Sequence, residues 1–160
     1  CVANSKTSGI PSQSDIGLAV KQGKEKIGSV YKTDFTGGVD ASLVSIDFGI
    51  ANLKKDFVGN SIDGFGTATK GLKVYKIGYV TGLTYGTITD TNAFYTATDG
   101  KQYRLFAVTG DNGIFCESGD SGSAIVTVSS PHKIVGIIST GGTSCDSNMP
   151  EDIKTFLGIQ

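Results

Sequence analysis

The 160-residue sequence predicts an all-β protein that ends in one short helix. Glycine, serine and threonine together make up 56 residues, or 35% of the chain, whereas there are only 3 prolines. This composition favours turns and strands. Apolar runs of strand length also lie close together along the chain, with turn signals between them. Hydrophobic residues at 38% are sufficient for a folded core, and no apolar run reaches the roughly 18 residues of a membrane helix.

The first half of the chain contains three strand-sized runs after a polar opening segment. They cover 16–20, 26–35 and 39–48. From 49 to 70 the sequence has several glycines and few consecutive strand formers, so we expect an irregular connector. We therefore divide the chain into a partial N-terminal β-lobe over 1–58, a connector over 59–70 and a C-terminal β-lobe over 71–160.

The second half contains five further strand-sized runs. They cover 72–80, 86–98, 102–108, 123–128 and 133–139. Turn signals such as Asp99-Gly100 separate them, which predicts antiparallel hairpins of a barrel or sandwich. The tail is predicted to be helical because Pro150 suits a first turn, Glu151 and Asp152 suit the positive end of the helix dipole, and Gly158 suits its end.

Charge and metal-ligating residues exclude several function classes. Lysine and arginine number 14 against 15 acidic residues, with no basic cluster, so nucleic acid is not expected as a partner. The sequence has one histidine and no pair of cysteines separated by two residues, so neither a metal site nor another cofactor is expected. The three cysteines Cys1, Cys116 and Cys145 allow one internal bridge or none by count alone.

The segment GIFCESGDSGSAIV (113–126) contains the residues best suited to catalysis. It places Ser121 between glycines, directly after an aspartate and just ahead of an apolar strand. A nucleophilic serine needs a fixed, exposed turn and backbone N–H groups aimed at the developing oxyanion. Gly119 and Ser121 are placed to supply those N–H groups. The alternative is a plain Gly/Ser-rich hairpin turn, which is the commoner meaning of such a string.

Four segments in one order resemble the chymotrypsin-like (trypsin-fold) serine endopeptidases. GDSGS (119–123) matches their nucleophile motif, and VDASLVSI (39–46) is similar to the strand that carries their triad aspartate. IVGIISTGG (134–142) is similar to their substrate-pairing strand. VYKIGYVTGLTYGTIT (74–89) resembles the first hairpin of the second barrel in secreted bacterial members, with Tyr75 and Tyr85 where several of those have a disulfide.

The resemblance implies a two-lobed antiparallel β-barrel of chymotrypsin type, with the first lobe incomplete and a short C-terminal helix. It implies that Ser121 is the nucleophile, that Asp40 orients the base, and that Gly119 and Ser121 form the oxyanion hole. Peptide substrate would bind along the strand through Ile138, Ser139, Thr140 and Gly141.

The resemblance also implies a disulfide between Cys116 and Cys145, across the two walls of the specificity pocket. Such a bridge would contribute about 3 kcal/mol by closing a long loop, and it requires an oxidising compartment, so we expect a secreted protein. Cys1 would then be a free thiol or a tether to another polypeptide. Asp120 would be buried and need a cation, for which Lys76 is the candidate; a solvated strand lysine is the alternative interpretation of Lys76.

The catalytic base is where the sequence departs from the family. The family's histidine precedes the aspartate, but the only histidine here is His132, in a Ser-Ser-Pro-His turn typical of a surface loop. The opening residues CVAN resemble the residues directly after the catalytic histidine in relatives. We therefore expect the base, and the strands before it, to be supplied by a segment upstream of Cys1 or by a second chain. The alternative is that the first lobe has been rebuilt into something smaller.

The sequence therefore predicts a serine endopeptidase that lacks its histidine and acts on protein or peptide substrates. The main alternative is a catalytically inactive protease-like protein that acts by binding, and a third is an unrelated Gly/Thr-rich β-domain that binds sugar or protein. The expected pocket walls carry no obvious charge, which favours an uncharged substrate residue on the acyl side of the cut. They are Ile114, Phe115, Ile138 and Thr140.

Overall fold

The computed structural model describes residues 16–22, 24–34, 41–47, 56–96, 100, 102–140 and 145–158. These ranges contain eleven strands and one helix. In chain order the elements are β1 Ala19–Gln22, β2 Glu25–Asp34, β3 Ala41–Ile46, β4 Asp56–Phe57, β5 Asn60–Phe65, β6 Lys73–Gly78, β7 Gly82–Thr96, β8 Gln102–Gly110, β9 Ala124–Thr127, β10 His132–Thr140, β11 Cys145–Asn148 and α1 Pro150–Leu157. The prediction of a mostly β protein with one C-terminal helix is confirmed.

The N-terminal strands form a three-stranded antiparallel sheet in the order β1-β2-β3. Val20 and Val30 are buried at its centre. Partly buried side chains pack around them from Leu18, Ile27 and Val44. This small sheet therefore has its own apolar cluster.

The remaining strands form an eight-stranded sheet in the order β11-β8-β7-β6-β9-β10-β5-β4, and β11 also pairs with β10. The pairings among β6, β7, β8, β11, β10 and β9 therefore run in a closed circuit. The main core cluster lies inside this circuit and includes Val74, Ile88, Phe106, Val108, Phe115, Cys116, Ile125, Val135, Ile138 and Cys145. The register places Tyr75 directly opposite Tyr85, with ring centroids 5.9 Å apart.

The prediction of an irregular stretch from 49 to 70 is wrong in one respect, because this stretch contains the strands β4 and β5. Strand β5 runs parallel to β10, with Ile62 opposite His132 and Phe65 opposite Ile134. Its sequence, NSIDGF, is poor in strand formers, so it is the pairing with β10 that makes this segment a strand. The domain boundaries drawn from the sequence stay predictions.

The helix α1 has the predicted ends. Pro150 is in its first turn and Gly158 caps its C-terminus in the left-handed conformation, with a φ of 71°. Phe156 is buried on the face that packs against the C-terminal sheet. Lys32 of β2 donates a hydrogen bond from Nζ to the Phe156 carbonyl at 2.6 Å, and its Nζ lies 4.4 Å from the centroid of the Phe156 ring. The helix is thus in contact with the N-terminal sheet. No helix in the described ranges is long and apolar enough to cross a membrane.

Candidate active site

Ser121 lies in a tight turn between β8 and β9. Within this turn the Asp120 amide donates to the Glu117 carbonyl at 3.0 Å, and the Ser123 amide donates to the Asp120 carbonyl at 3.1 Å. Gly119 has a φ of 106°, a conformation that L side chains rarely adopt. A Cβ added at Gly119 would also come within 2.7 Å of Cγ2 of Val80. Both the backbone conformation and the space at this position therefore require glycine.

The turn is fixed onto the end of β10. Gly122 donates its N–H to the Ile138 carbonyl at 2.8 Å, and Ile138 donates its N–H to the Ser123 carbonyl at 3.0 Å. The Ser121 hydroxyl donates to the Ser139 carbonyl at 3.1 Å. The structure therefore brings together three of the predicted site residues, Ser121, Ile138 and Ser139.

In the backbone of the turn, the Gly119 N–H is available to an anionic ligand. The Asp120 and Gly122 amides are used inside the protein, whereas the Gly119 N–H has no acceptor within the described part of the chain. Gly119 is exposed to solvent. A free, exposed N–H two residues before the serine is the arrangement that an oxyanion hole needs. The roles predicted for Gly119 and Ser121 in that hole stay predictions.

The Asp120 carboxylate is fully buried beneath the turn, with Lys76 as its cation. Lys76 Nζ lies 3.1 Å from Oδ2 of Asp120, and both side chains are 0% exposed. Lys76 also donates to the hydroxyl of Thr81 and to the Gly82 carbonyl. The prediction that Lys76 is the buried partner of Asp120 is confirmed, and the alternative of a solvated lysine is wrong.

Three further residues donate to this carboxylate. Oδ1 accepts hydrogen bonds from the backbone N–H groups of Val80, at 2.7 Å, and Thr81, at 3.2 Å. Oδ2 accepts from the Thr81 hydroxyl at 2.6 Å and from the Glu117 N–H at 3.2 Å. The carboxylate thus joins the β6–β7 turn to the turn that carries Ser121.

The protonation state of Asp120 is set by these contacts. Burial raises the pKa of its carboxyl, but the hydrogen bonds from the Thr81 hydroxyl, from the Val80 and Glu117 amides and from Lys76 together outweigh burial. The net result is a pKa held well below the ordinary value. Asp120 is therefore ionised at neutral pH.

Sequence reasoning missed Thr81, Val80 and Gly78 as parts of the site. They become neighbours of Asp120 only because the β6–β7 hairpin turns at 79–81. A Cβ at Gly78 would overlap the Asp120 carboxylate and come within 2.7 Å of Lys76 Nζ. A short glycine turn after a strand lysine is too common a pattern to indicate this arrangement.

Cys116 and Cys145 are joined by a disulfide that spans 29 residues of sequence. The bond links the start of the turn that carries Ser121 to β11, and both cysteines are buried. Next to it, Thr84 donates its hydroxyl to the Phe115 carbonyl at 2.6 Å. The predicted bridge is confirmed, whereas Cys1 lies outside the described residues.

The structure describes only some of the other predicted site residues. Asp40 and Gly141 lie outside the described residues, and Thr140 is the last residue of β10. Of the expected pocket walls, Phe115 and Ile138 are buried in the main core cluster, whereas Ile114 is exposed.

His132 lies at the other end of β10 from Ser139. At about 3.3 Å per residue, seven residues of strand separate them by roughly 23 Å. Its Nδ1 lies 2.9 Å from the Thr127 carbonyl, and its ring packs edge-on against Tyr75 at 6.2 Å between centroids. His132 is therefore not next to Ser121. In the described ranges, no group of three or more His, Cys, Asp or Glu side chains is placed to hold a metal ion.

Comparison with solved structures identifies the fold. The chain is similar to the chymotrypsin of Cellulomonas bogoriensis, with 24% identity, a TM-score of 0.64 and coverage of 89% of this chain and 78% of that chain. It is similar to protease A of Thermobifida fusca, with 23% identity, a TM-score of 0.64 and coverage of 91% of this chain and 78% of that chain. It is also similar to a glutamic acid specific serine protease, which is described as using a novel histidine triad in substrate binding. In that comparison the identity is 24%, the TM-score is 0.67, and the match covers 88% of this chain and 76% of that chain.

The fold is therefore that of the chymotrypsin-like serine proteases. Within that class, the chain belongs to peptidase family S64, whose family model matches residues 23–144. A search of curated protein sequences returned no significant match.

Proposed function

We propose that this chain carries the nucleophile and the oxyanion hole of a serine endopeptidase whose histidine lies outside these 160 residues. The observation that carries the proposal is the turn at Ser121, held between the buried Lys76–Asp120 pair and the end of β10. Such rigid support keeps a nucleophile and its oxyanion donors in place before substrate arrives.

The chemistry would be the general scheme of serine acyl transfer. Ser121 Oγ attacks the peptide carbonyl, a histidine takes its proton, and Asp40 holds that histidine in the correct orientation. The N–H groups of Gly119 and Ser121 stabilise the negative charge that develops on the carbonyl oxygen. The Ser121 hydroxyl would exchange its hydrogen bond to the Ser139 carbonyl for one to the histidine.

We place the catalytic histidine outside these 160 residues because the one histidine in the sequence does not lie near Ser121. The single histidine, His132, is far from Ser121 and packs against Tyr75. We propose that the histidine directly precedes Cys1, on a segment that completes the first lobe next to β1–β3. On this proposal the closed circuit of six strands is the second barrel of the chymotrypsin-like fold. Cys1 would be a free thiol or a tether to the segment.

The disulfide supports a secreted protein. Cys116–Cys145 is buried and part of the core, and bonds of this kind persist in oxidising compartments. We therefore propose secretion and a protein or peptide substrate.

A second candidate function is binding without catalysis. The absence of a second histidine from the sequence favours it, whereas a free N–H at Gly119 and a hydroxyl at Ser121 favour the enzyme. The two candidates differ in one measurable property, Ser121-dependent cleavage.

The test is hydrolysis of a quenched fluorescent peptide library by the purified chain, alone and co-produced with the segment encoded upstream. Because serine without an adjacent base is a weak nucleophile, the chain alone is expected to be slower by on the order of 10⁶. The segment should restore cleavage, and Ser121→Ala should abolish it.

Two outcomes would change the assignment. Ser121-dependent cleavage by the chain alone, lost in His132→Ala, would make His132 the base. No cleavage with the segment and its histidine present would leave the binding protein as the function.

A further inference from the structure

The β6–β7 turn exposes two large apolar side chains beside the turn that carries Ser121. Tyr79 is 95% exposed, the highest value among the large apolar side chains in the described part of the chain, and Val80 is 48% exposed. Exposed apolar surface of this kind is expected where a protein binds a partner or a ligand. Its position in the molecule indicates which ligand.

Val80 occupies the space directly beside Gly119. A Cβ added at Gly119 would come within 2.7 Å of Cγ2 of Val80, and the next atom within 4 Å of that position is Cβ of Val80. Gly119 is itself exposed and carries the N–H that is available to an anionic ligand. The Val80 side chain therefore forms one wall beside the proposed oxyanion hole.

The backbone of the β6–β7 turn is fixed at this wall. The N–H groups of Val80 and Thr81 donate to Oδ1 of the buried Asp120 carboxylate, at 2.7 Å and 3.2 Å. These bonds hold the backbone and leave half of the Val80 side chain in contact with solvent. A wall that is already in place loses little conformational entropy when a ligand packs against it.

The turn that carries Ser121 has β10 on one side and the β6–β7 turn on the other. Backbone hydrogen bonds hold it to β10 at Ile138, and the Asp120 carboxylate holds it to Val80. On the proposed function, the acyl part of the substrate lies along the end of β10. The substrate residue directly after the scissile bond then lies past Ser121, on the side of Gly119 and Val80.

The charges around this wall favour an apolar ligand. Lys76 is fully buried and paired with Asp120, so it is not available to an acidic substrate residue. Glu117, whose N–H also binds Asp120, has an exposed side chain and adds negative charge to the same turn. The surface that a substrate side chain can cover consists of the Val80 methyl groups and the Tyr79 ring, and covering them removes apolar area from water.

We propose that Val80 and Tyr79 are specificity-determining residues that select a large apolar side chain directly after the scissile bond. This inference rests on the proposed function for the location of the substrate. A leucine at that position would bury the wall, whereas a polar side chain of the same size would lose its own hydration there.

The test is binding of short fluorescein-labelled, alanine-rich peptides that differ at one position. That position carries leucine, the nearly isosteric asparagine, or a photoreactive diazirine analogue of leucine. Binding to the 160-residue chain, measured by fluorescence anisotropy, needs no histidine. The leucine peptide should bind about tenfold more tightly than the asparagine peptide. Irradiation of the bound diazirine peptide, followed by mass spectrometry, should place the cross-link on Tyr79 or Val80.

Variants of the wall test its role. Val80→Thr and Tyr79→Ser should each lower the leucine-to-asparagine ratio, and the double variant should bring it to about one. Val128→Thr is the matched control, because Val128 is an exposed valine that follows β9 at the end away from Ser121. Its ratio should equal that of the parent chain. The ratio compares two peptides on the same variant, so a change in stability alone does not move it.

The other outcomes separate the inference from the proposed function. An equal affinity for the two peptides, an unchanged ratio in the double variant, a cross-link outside the β6–β7 turn or no binding would overturn the inference. Where co-production with the upstream segment gives cleavage, the products should begin with large apolar residues, and cleavage without this enrichment would overturn the inference alone. A leucine preference that depends on Tyr79 and Val80, without Ser121-dependent cleavage, would overturn the proposed function alone.

Discussion

Asp120 receives five hydrogen bonds from four residues, and three of these residues belong to the β6–β7 hairpin, far from the aspartate in sequence. The motif GDSG indicates only that an acid precedes the serine. Lys76 could be identified as the cation because its hairpin resembles that of the family. The donors Thr81 and Val80 could not be identified in this way, because their positions depend on where that hairpin turns. A buried carboxylate with this many donors is a fixed point for the turn above it.

At the residue scale, we predict that Lys76→Met destabilises the protein by about 3 kcal/mol. Removal of the cation leaves the buried Asp120 charge unpaired, which is more costly than removal of the whole pair. The free energy of unfolding in urea measures the effect. The double variant Lys76→Met/Asp120→Asn is the matched control and should recover part of the loss. An unchanged urea midpoint in Lys76→Met would mean that the hydrogen bonds from Thr81, Val80 and Glu117 are sufficient.

At the scale of elements, strands with continuous apolar patterns are predictable from sequence and strands made by pairing are not. KIVGIIS in β10 is rich in branched residues, which predicts its strand directly. In contrast, β5 is a strand because β10 runs beside it, with Ile62 opposite His132.

Also at this scale, we predict that the disulfide is complete in the purified protein. Thiol titration of the denatured, unreduced chain should find at most one reactive sulfur, that of Cys1. The variant Cys116→Ala/Cys145→Ala should lose about 3 kcal/mol of stability, since the bridge restricts a loop of 29 residues in the unfolded chain. Three reactive sulfurs would remove both the bridge and the support for secretion.

For the whole molecule, the contact between the N-terminal sheet and the C-terminal helix is the feature that joins the two sheets. Lys32 of β2 reaches the last turn of α1 and binds the Phe156 carbonyl there. A cation at this end of a helix is favoured by the helix dipole, and its position over the Phe156 ring adds a cation–π contact. This contact therefore keeps the three-stranded N-terminal sheet against the C-terminal helix.

At this largest scale, we predict that Lys32→Met lowers the free energy of unfolding by about 1 kcal/mol. Lys26→Met is the matched control, because Lys26 lies on the same strand and forms an exposed ion pair with Asp47 at 2.8 Å. Exposed pairs of that kind contribute little, so its urea midpoint should hardly move. Equal shifts in the two variants would mean that the helix contact adds nothing beyond a surface charge.

The closed circuit of strands has a consequence for how fast the protein reaches its native state. The pairing of β6 with β9 joins Val74 to Thr127, more than 50 residues away. Chains dominated by such distant pairings fold slowly, in milliseconds to seconds, because the entropy of loop closure is lost before the contacts form. The turn at Ser121 lies within the long loop that this pairing closes, immediately before β9. We therefore expect this turn to become ordered only after β6 and β9 have paired.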